Sequence, residues 1–151
     1  MKLNALQVLM EDHDYVKKSY RAFQKLDPEE DREEMQALVK QVCEALKVHV
    51  RIEEEVFYPA LRRALKDKDL IDEAEVEHES AKILIRRLAR MKPRDPKYAA
   101  TFTVLCEYIE HHVKEEENEM FPKVRRARLN LEGLGKKLMA RKIALAPKPK
   151  R

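Results

Sequence analysis

The chain has 151 residues, of which 40% are charged and only 2 are glycine, Gly133 and Gly135. A sheet protein of this length would need many more glycine-bearing turns, so the composition predicts a single helical unit large enough to enclose a core. No apolar run approaches the roughly 20 residues of a membrane-spanning helix, and the first residues lack the pattern of a secretory leader. We therefore expect a cytoplasmic protein that does not enter a membrane.

The net charge of +4 is unevenly distributed along the chain. Residues 123–151 contain 11 Lys and Arg and a single acid, Glu132, so this part carries +10 and residues 1–122 carry −6. A basic end without aromatic residues or a nucleic-acid-binding motif is more typical of a solubilising tail. A nucleic-acid partner is not expected, whereas a protein redox partner or a homodimer stays open.

Apolar residues at steps of three and four predict four helices in chain order. Their apolar stripes cover residues 6–23, 35–60, 71–88 and 98–120. The breaks between them are Asp27-Pro28, residues 67–69 and Lys92-Pro93-Arg94-Asp95-Pro96. Such short connections favour an all-α, antiparallel up-down-up-down bundle over residues 1–128. Residues 129–151 are expected to form a basic C-terminal segment, with a short helix and then a disordered tail.

The chain also repeats itself at an offset of 63 residues. The segment 42–50 aligns with 105–113, and the match continues from Glu53-Glu54 against Glu116-Glu117 to Tyr58-Pro59 against Phe121-Pro122. Asp12-His13-Asp14 also matches Glu77-His78-Glu79, at an offset that is two residues longer. This self-similarity predicts two related helical hairpins about a pseudo-twofold axis.

Four of the five histidines lie on the core-facing stripe of one helix each: His13, His49, His78 and His112. Glu53 and Glu116 follow two of them at i+4, on the same helix face. A lone core histidine is more often a hydrogen-bonded structural residue. Here the pair occurs twice, and burying two carboxylates without compensation is expensive. The conjunction therefore predicts a metal site.

The ligand types narrow the choice of metal. Imidazole and carboxylate without thiolate suit Fe, Mn or Zn. Six ligands are more than one tetrahedral zinc ion takes, and inward-facing ligands on four helices suit a dinuclear centre. Two iron ions are favoured, with Mn or Zn as substitutes.

These motifs resemble the hemerythrin-like, or HHE cation-binding, family over residues from about 4 to 128. The residues that carry the resemblance are Asp12-His13-Asp14, His49-x-x-x-Glu53-Glu54-x-x-Phe57-Tyr58-Pro59, Glu77-His78-Glu79 and His112-x-x-x-Glu116-Glu117-x-x-Met120-Phe121-Pro122. The resemblance implies a four-helix bundle around a non-heme di-iron centre. In it the four histidines are terminal ligands, and Glu53 and Glu116 bridge the ions together with an oxo or hydroxo group.

The oxygen-carrying members of that family have an extra histidine one turn away on the third helix. Here the positions one turn either side of His78 are Ala74 and Lys82. Two six-coordinate ions would then keep two open positions instead of one, which favours redox turnover over carriage. We expect a protein that binds or reacts with O₂, H₂O₂ or NO, with catalase-like peroxide breakdown or sensing favoured. An iron-responsive regulatory module, whose fold depends on metal occupancy, is the alternative.

Three further residues are candidates around the centre. Tyr108, one turn before His112, could fill the open position, although a phenol packed over the site or hydrogen-bonded to a ligand is the favoured interpretation. Glu54 and Glu117 could accept the second N–H of a ligand imidazole, although solvated surface acids are the favoured interpretation. Pro59 and Pro122 are expected to kink or end the second and fourth helices.

Overall fold

The computed structural model describes residues 3–147, and these residues form helices and loops without a strand. In chain order the helices are α1 (Ala5–Gln24), α2 (Arg32–Ile52), α3 (Tyr58–Ala64), α4 (Asp69–Arg90), α5 (Tyr98–Glu115), α6 (Phe121–Arg126) and α7 (Leu131–Leu145). The predicted all-α fold is confirmed, including the short C-terminal helix. A disordered tail was expected after this helix, and its last residues, 148–151, lie outside the described residues.

Four long helices pack as a closed ring. α1 contacts α2 and α5, while α4 contacts α5 and α2, so each hairpin of the repeat packs against the other. α1 begins at a capping box in which the Asn4 side chain accepts the Gln7 N–H and the Gln7 side chain accepts the Asn4 N–H. The predicted break at Asp27 is real, because its carboxylate accepts the N–H groups of Glu29 and Glu30 in a turn.

Two π turns interrupt the second and fourth long helices. Glu53–Phe57 joins α2 to α3, and Glu116–Met120 joins α5 to α6. Pro59 and Pro122 were expected to kink or end these helices; the regular α-helix is interrupted just before each proline, but the chain stays helical, because each proline lies in the first turn of the α-helix that follows its π turn. A proline has no N–H to donate and its ring collides with the carbonyl at i−4 in a regular helix. The widened turn just before each proline absorbs this conflict while the helix continues.

The hydrophobic core consists of two clusters, one towards each end of the bundle. The buried side chains of the first cluster come from residues 16–46 and 81–113. Those of the second cluster come from residues 5–9, 52–74 and 120–138. The buried histidine of each long helix and the buried glutamate of each π turn lie at the level between the two clusters. The polar residues therefore form a layer across the waist of the bundle.

α7 packs along α1 and also contacts α2 and the first π turn. It buries Leu134, Gly135 and Leu138. A Cβ atom on Gly135 would lie only 2.4 Å from the carbonyl oxygen of Leu3, so this close approach of two backbones requires glycine. Within the part of the chain described here, no helix is long and apolar enough to cross a membrane.

Candidate metal centre

The six residues predicted as ligands meet in one buried layer. Their exposed fractions range from 0% for Glu53 to 7% for His49. Each long helix contributes one histidine, and each π turn contributes one glutamate: His13, His49, His78, His112, Glu53 and Glu116. The two glutamates are the first residues of the two π turns.

The possible ligand atoms fall into two groups that share one residue. In the first group all ligand atoms lie within 4.8 Å of one another, and its members are His13, His49, Glu53 and Glu116. The second group, under the same limit, consists of Glu53, His78 and His112. The His112 Nε2 atom is also 3.3 Å from Glu116 Oε2, so this carboxylate extends towards the second group. These residues could hold two cations with carboxylates between them.

Several buried donor and acceptor atoms at the centre lack a hydrogen-bond partner among residues 3–147. They are His13 Nε2, His49 Nε2, His112 Nε2, Glu53 Oε2 and Glu116 Oε1. They are nevertheless close to opposite groups, since His13 Nε2 is 3.2 Å from Glu116 Oε1 and His49 Nε2 is 3.1 Å from Glu53 Oε1. Unsatisfied buried polar atoms are costly. Imidazole and carboxylate atoms in this arrangement fit a cation such as Fe, Mn or Zn.

A carboxylate accepts the outward N–H of each of the four imidazoles. The Nδ1 atoms lie 2.6–2.9 Å from their partners, and the pairs are His13 with Glu117, His49 with Asp12, His78 with Glu54 and His112 with Glu77. This places the proton on Nδ1 and leaves Nε2 directed at the centre. The pairing also follows the pseudo-twofold repeat, because each contact is reproduced by its counterpart.

This pattern corrects the favoured interpretation of Glu54 and Glu117. They are not solvated surface acids, since their side chains are only 26% and 25% exposed and each binds a histidine of the opposite hairpin. Asp12 and Glu77 were missed as histidine partners, although both belong to the quoted motifs. Their position immediately before His13 and His78, in both halves of the repeat, could have indicated a role near the centre.

Tyr58 is a functional candidate that sequence reasoning also missed. It is 1% exposed, and its hydroxyl donates to Glu116 Oε2 at 2.7 Å. The Tyr58 hydroxyl oxygen is also 3.3 Å from His78 Nε2. Burial and the adjacent Glu116 carboxylate raise the pKa of Tyr58 well above its ordinary value, so the phenol keeps its proton. The signal lay in the repeat, because the counterpart of Tyr58 is Phe121, which has no hydroxyl.

Tyr108 does not lie at the centre. Its side chain is 42% exposed, so the prediction of a ligand or of a phenol packed over the site is wrong. The interior position about one turn before His112 belongs to Ile109, which is buried. Tyr108 and Ile109 lie on opposite sides of the direction of His112, by about 40° and about 60° respectively, and only the side of Ile109 faces the interior.

The charges of the centre stabilise one another. Burial by itself would raise the pKa of Glu53, but attraction to His49 and contacts with the other imidazoles hold it well below its usual range. Burial would likewise lower the pKa of His49, yet Glu53 and the Asp12 hydrogen bond raise it to about 10. The carboxylate is therefore ionised and ready to bind a cation, and a cation must displace protons from the imidazoles.

A small cavity of about 10 Å³ adjoins all four histidines. Its remaining wall is largely aliphatic, formed by Val16, Leu46, Val50, Ile109 and Val113. A space of this size is at the lower limit for one water molecule. In this conformation the cavity therefore admits only a very small ligand.

Comparisons with known proteins agree with this geometry. The profile of the Hemerythrin HHE cation binding domain family matches residues 4–124. An uncharacterized protein of Mycobacterium tuberculosis strain H37Rv is 31% identical over 142 residues, which are 92% of this chain and 85% of the relative. A DNA nickase of Nostoc sp. is 27% identical over 123 residues, or 82% of this chain, and the chain spans only 34% of that relative's length.

A solved structure gives the same fold. It is the crystal structure of a hemerythrin HHE cation-binding domain-containing protein from Mycobacterium kansasii, with a TM-score of 0.80 and 30% sequence identity. The match covers 95% of this chain and 87% of that one.

Proposed function

This chain belongs to the hemerythrin HHE cation-binding family, and we propose that it binds two non-heme iron ions and uses them to react with a small oxidant. Breakdown or sensing of hydrogen peroxide is favoured over reversible carriage of dioxygen. The observation that carries this proposal is the set of buried imidazole and carboxylate atoms that face one another without hydrogen-bond partners.

The six buried residues would divide between two ions. His13 and His49 would bind one ion and His78 and His112 the other, while Glu53 and Glu116 would be shared. When bound, the ions supply the one-electron redox steps that O₂, H₂O₂ or NO chemistry requires. The protein holds each imidazole in place through its carboxylate partner.

The preference for turnover over carriage rests on the absence of a fifth imidazole ligand. Ala74 is buried and has no ligand atom, and the Lys82 ammonium is bound to Glu54 at 2.9 Å. Four imidazoles leave more positions open than five would, and open positions permit chemistry. The Tyr58 hydroxyl keeps a proton beside Glu116, which is a potential proton source at the centre.

The aliphatic wall of the cavity next to the four histidines is an argument for a small substrate. Val50, Ile109 and Val113 exclude bulk water from the side of the four histidines. Larger substrates would need a conformational change, whereas a diatomic molecule or hydrogen peroxide would need only a small displacement of side chains. The net reaction would convert two molecules of H₂O₂ into two of water and one of O₂.

The test is metal analysis of the purified chain together with its absorption spectrum and its oxygen evolution from H₂O₂. We expect about two irons per chain, a near-ultraviolet charge-transfer band of an oxo-bridged pair, and oxygen release. His111→Ala is a matched control for His112→Ala, because His111 is 67% exposed and its neighbour is buried. His112→Ala should lose iron and activity, and His111→Ala should keep both. A reversible O₂ adduct without oxygen release would overturn the catalase-like version.

A second candidate function is an iron-responsive regulatory module. The observation that favours it is that all four long helices contribute a buried histidine to one layer. Metal binding should therefore be coupled to folding of the bundle. A melting temperature that stays unchanged after chelation would rule it out. A large fall without peroxide chemistry in the loaded protein would favour it over the enzyme.

A further inference from the structure

We propose that α7 is coupled to the metal centre, and that Lys142 on α7 is a positioning residue for His49 through Asp12. α7 lies beyond residues 4–124, the region that matches the family. The inference rests on the proposed function, because it requires an ion bound by His49.

A single carboxylate joins the helix to the ligand. Lys142 Nζ donates to Asp12 Oδ1 at 2.5 Å, and His49 Nδ1 donates to Asp12 Oδ2 at 2.8 Å. The Asp12 side chain is 15% exposed and that of Lys142 is 35% exposed, so the contact is partly shielded from water. With one oxygen held by α7, the other oxygen stays directed at the imidazole.

The pseudo-twofold repeat shows that this contact belongs to one half of the centre. The counterpart of Asp12 is Glu77, which binds His112 at 2.9 Å. Glu77 lies in a group with His111 and Glu115, whose ligand atoms are within 4.8 Å of one another. α7 instead packs on α1 and α2, next to Asp12 and His49. Lys142 should therefore act on the ion at His49 and leave the ion at His112 nearly unchanged.

The docking of α7 does not depend on Lys142 alone. Leu134 and Leu138 are buried, and Arg141 pairs with Glu55 at 2.8 Å. Removing the Lys142 ammonium should thus leave the helix docked while Asp12 becomes free to turn towards water. The coupling must also be reciprocal, so that metal binding should hold α7 more firmly.

The first test compares Lys142→Met with Arg141→Met in the full chain. Both variants remove one cation from α7, but Arg141 contacts Glu55 rather than a histidine partner. Each protein is titrated with Fe²⁺ without oxygen, in competition with a chelator. Loss of the carboxylate partner of a ligand histidine usually weakens metal binding 10–100-fold, and Lys142 is one contact further away. We expect Lys142→Met to weaken one of the two ions by roughly 3–10-fold, Arg141→Met to change neither appreciably, and Lys142→Arg to restore the lost affinity.

The second test starts from the unaltered chain, so its first result does not depend on how a variant folds. Hydrogen exchange of the α7 amides is measured with and without Fe²⁺. Exchange should slow when metal binds, and this effect should disappear in Lys142→Met.

The outcomes separate the two proposals. If the unaltered chain binds no iron, both proposals fail. If it binds two ions but metal leaves α7 exchange unchanged, or if Lys142→Met and Arg141→Met behave alike, the coupling of α7 through Lys142 is overturned and the proposed function stands.

Discussion

Replacement of Tyr58 by Phe isolates one hydrogen bond of the centre. It removes the hydroxyl that donates to Glu116 Oε2 at 2.7 Å, and it places at position 58 the residue that the repeat already has at Phe121. A hydrogen bond to a charged group contributes about 1.5–3 kcal/mol to stability. For a chain of 151 residues the entropy of unfolding is about 0.3 kcal/mol per degree. The melting temperature of the metal-depleted protein should therefore fall by roughly 5–10 °C.

The assay is thermal unfolding followed by circular dichroism, with metal analysis of the loaded variant. Tyr98→Phe is the control, because Tyr98 is also buried, at 4% exposed, but lies in the other core cluster. Tyr58→Phe should still bind two ions, since the hydroxyl supports Glu116 and is not one of the proposed ligands. If its melting temperature falls no further than that of Tyr98→Phe, the hydroxyl does not stabilise Glu116 and the argument is refuted.

Three further predictions concern pH, α7 and the surface. In the metal-depleted protein His49 has a pKa raised from 6.5 to about 10, so the folded chain keeps a proton that the unfolded chain has released. Stability should fall as pH rises between these values, by up to about 1.4 kcal/mol per pH unit, and urea titrations should show that this slope is absent when metal is bound. Gly135→Ala should destabilise the chain by about 1–3 kcal/mol in urea unfolding, because its Cβ atom would meet the Leu3 carbonyl; an unchanged midpoint would contradict that contact. Tyr108→Phe should leave iron content and the absorption spectrum unchanged, since Tyr108 is 42% exposed. A shifted spectrum would show that Tyr108 contacts the metal centre after all.

The fold and the six converging residues could be predicted because the same motif occurs in both halves of the sequence. Each helix presents its histidine on an apolar stripe, and the spacing of four residues puts His49 with Glu53 and His112 with Glu116 on the same faces. Periodicity within one helix was sufficient for those pairs.

Contacts between helices could not be derived in that way. Glu54 pairs with His78 across 24 residues and Glu117 pairs with His13 across 104 residues. Their partners depend on how the two hairpins are rotated against each other, which no local pattern encodes. Tyr58 was missed for the same reason, because its hydroxyl reaches Glu116 on the opposite hairpin.

The two π turns also set the rotational phase of the chain that follows them. A regular helix would have kept Val56 on the buried stripe, whereas Val56 is only partly buried and the fully buried side chains after Glu53 are those of Phe57, Tyr58 and Leu61. One extra residue in a turn rotates everything beyond it by about 100°. Deleting a single residue from 55–57 would leave His49 on α2 and Glu53 in place, yet would turn the Tyr58 hydroxyl away from Glu116. The length of this five-residue segment therefore matters as much as its sequence, and an alignment that places a gap there would assign the wrong residues to the interior.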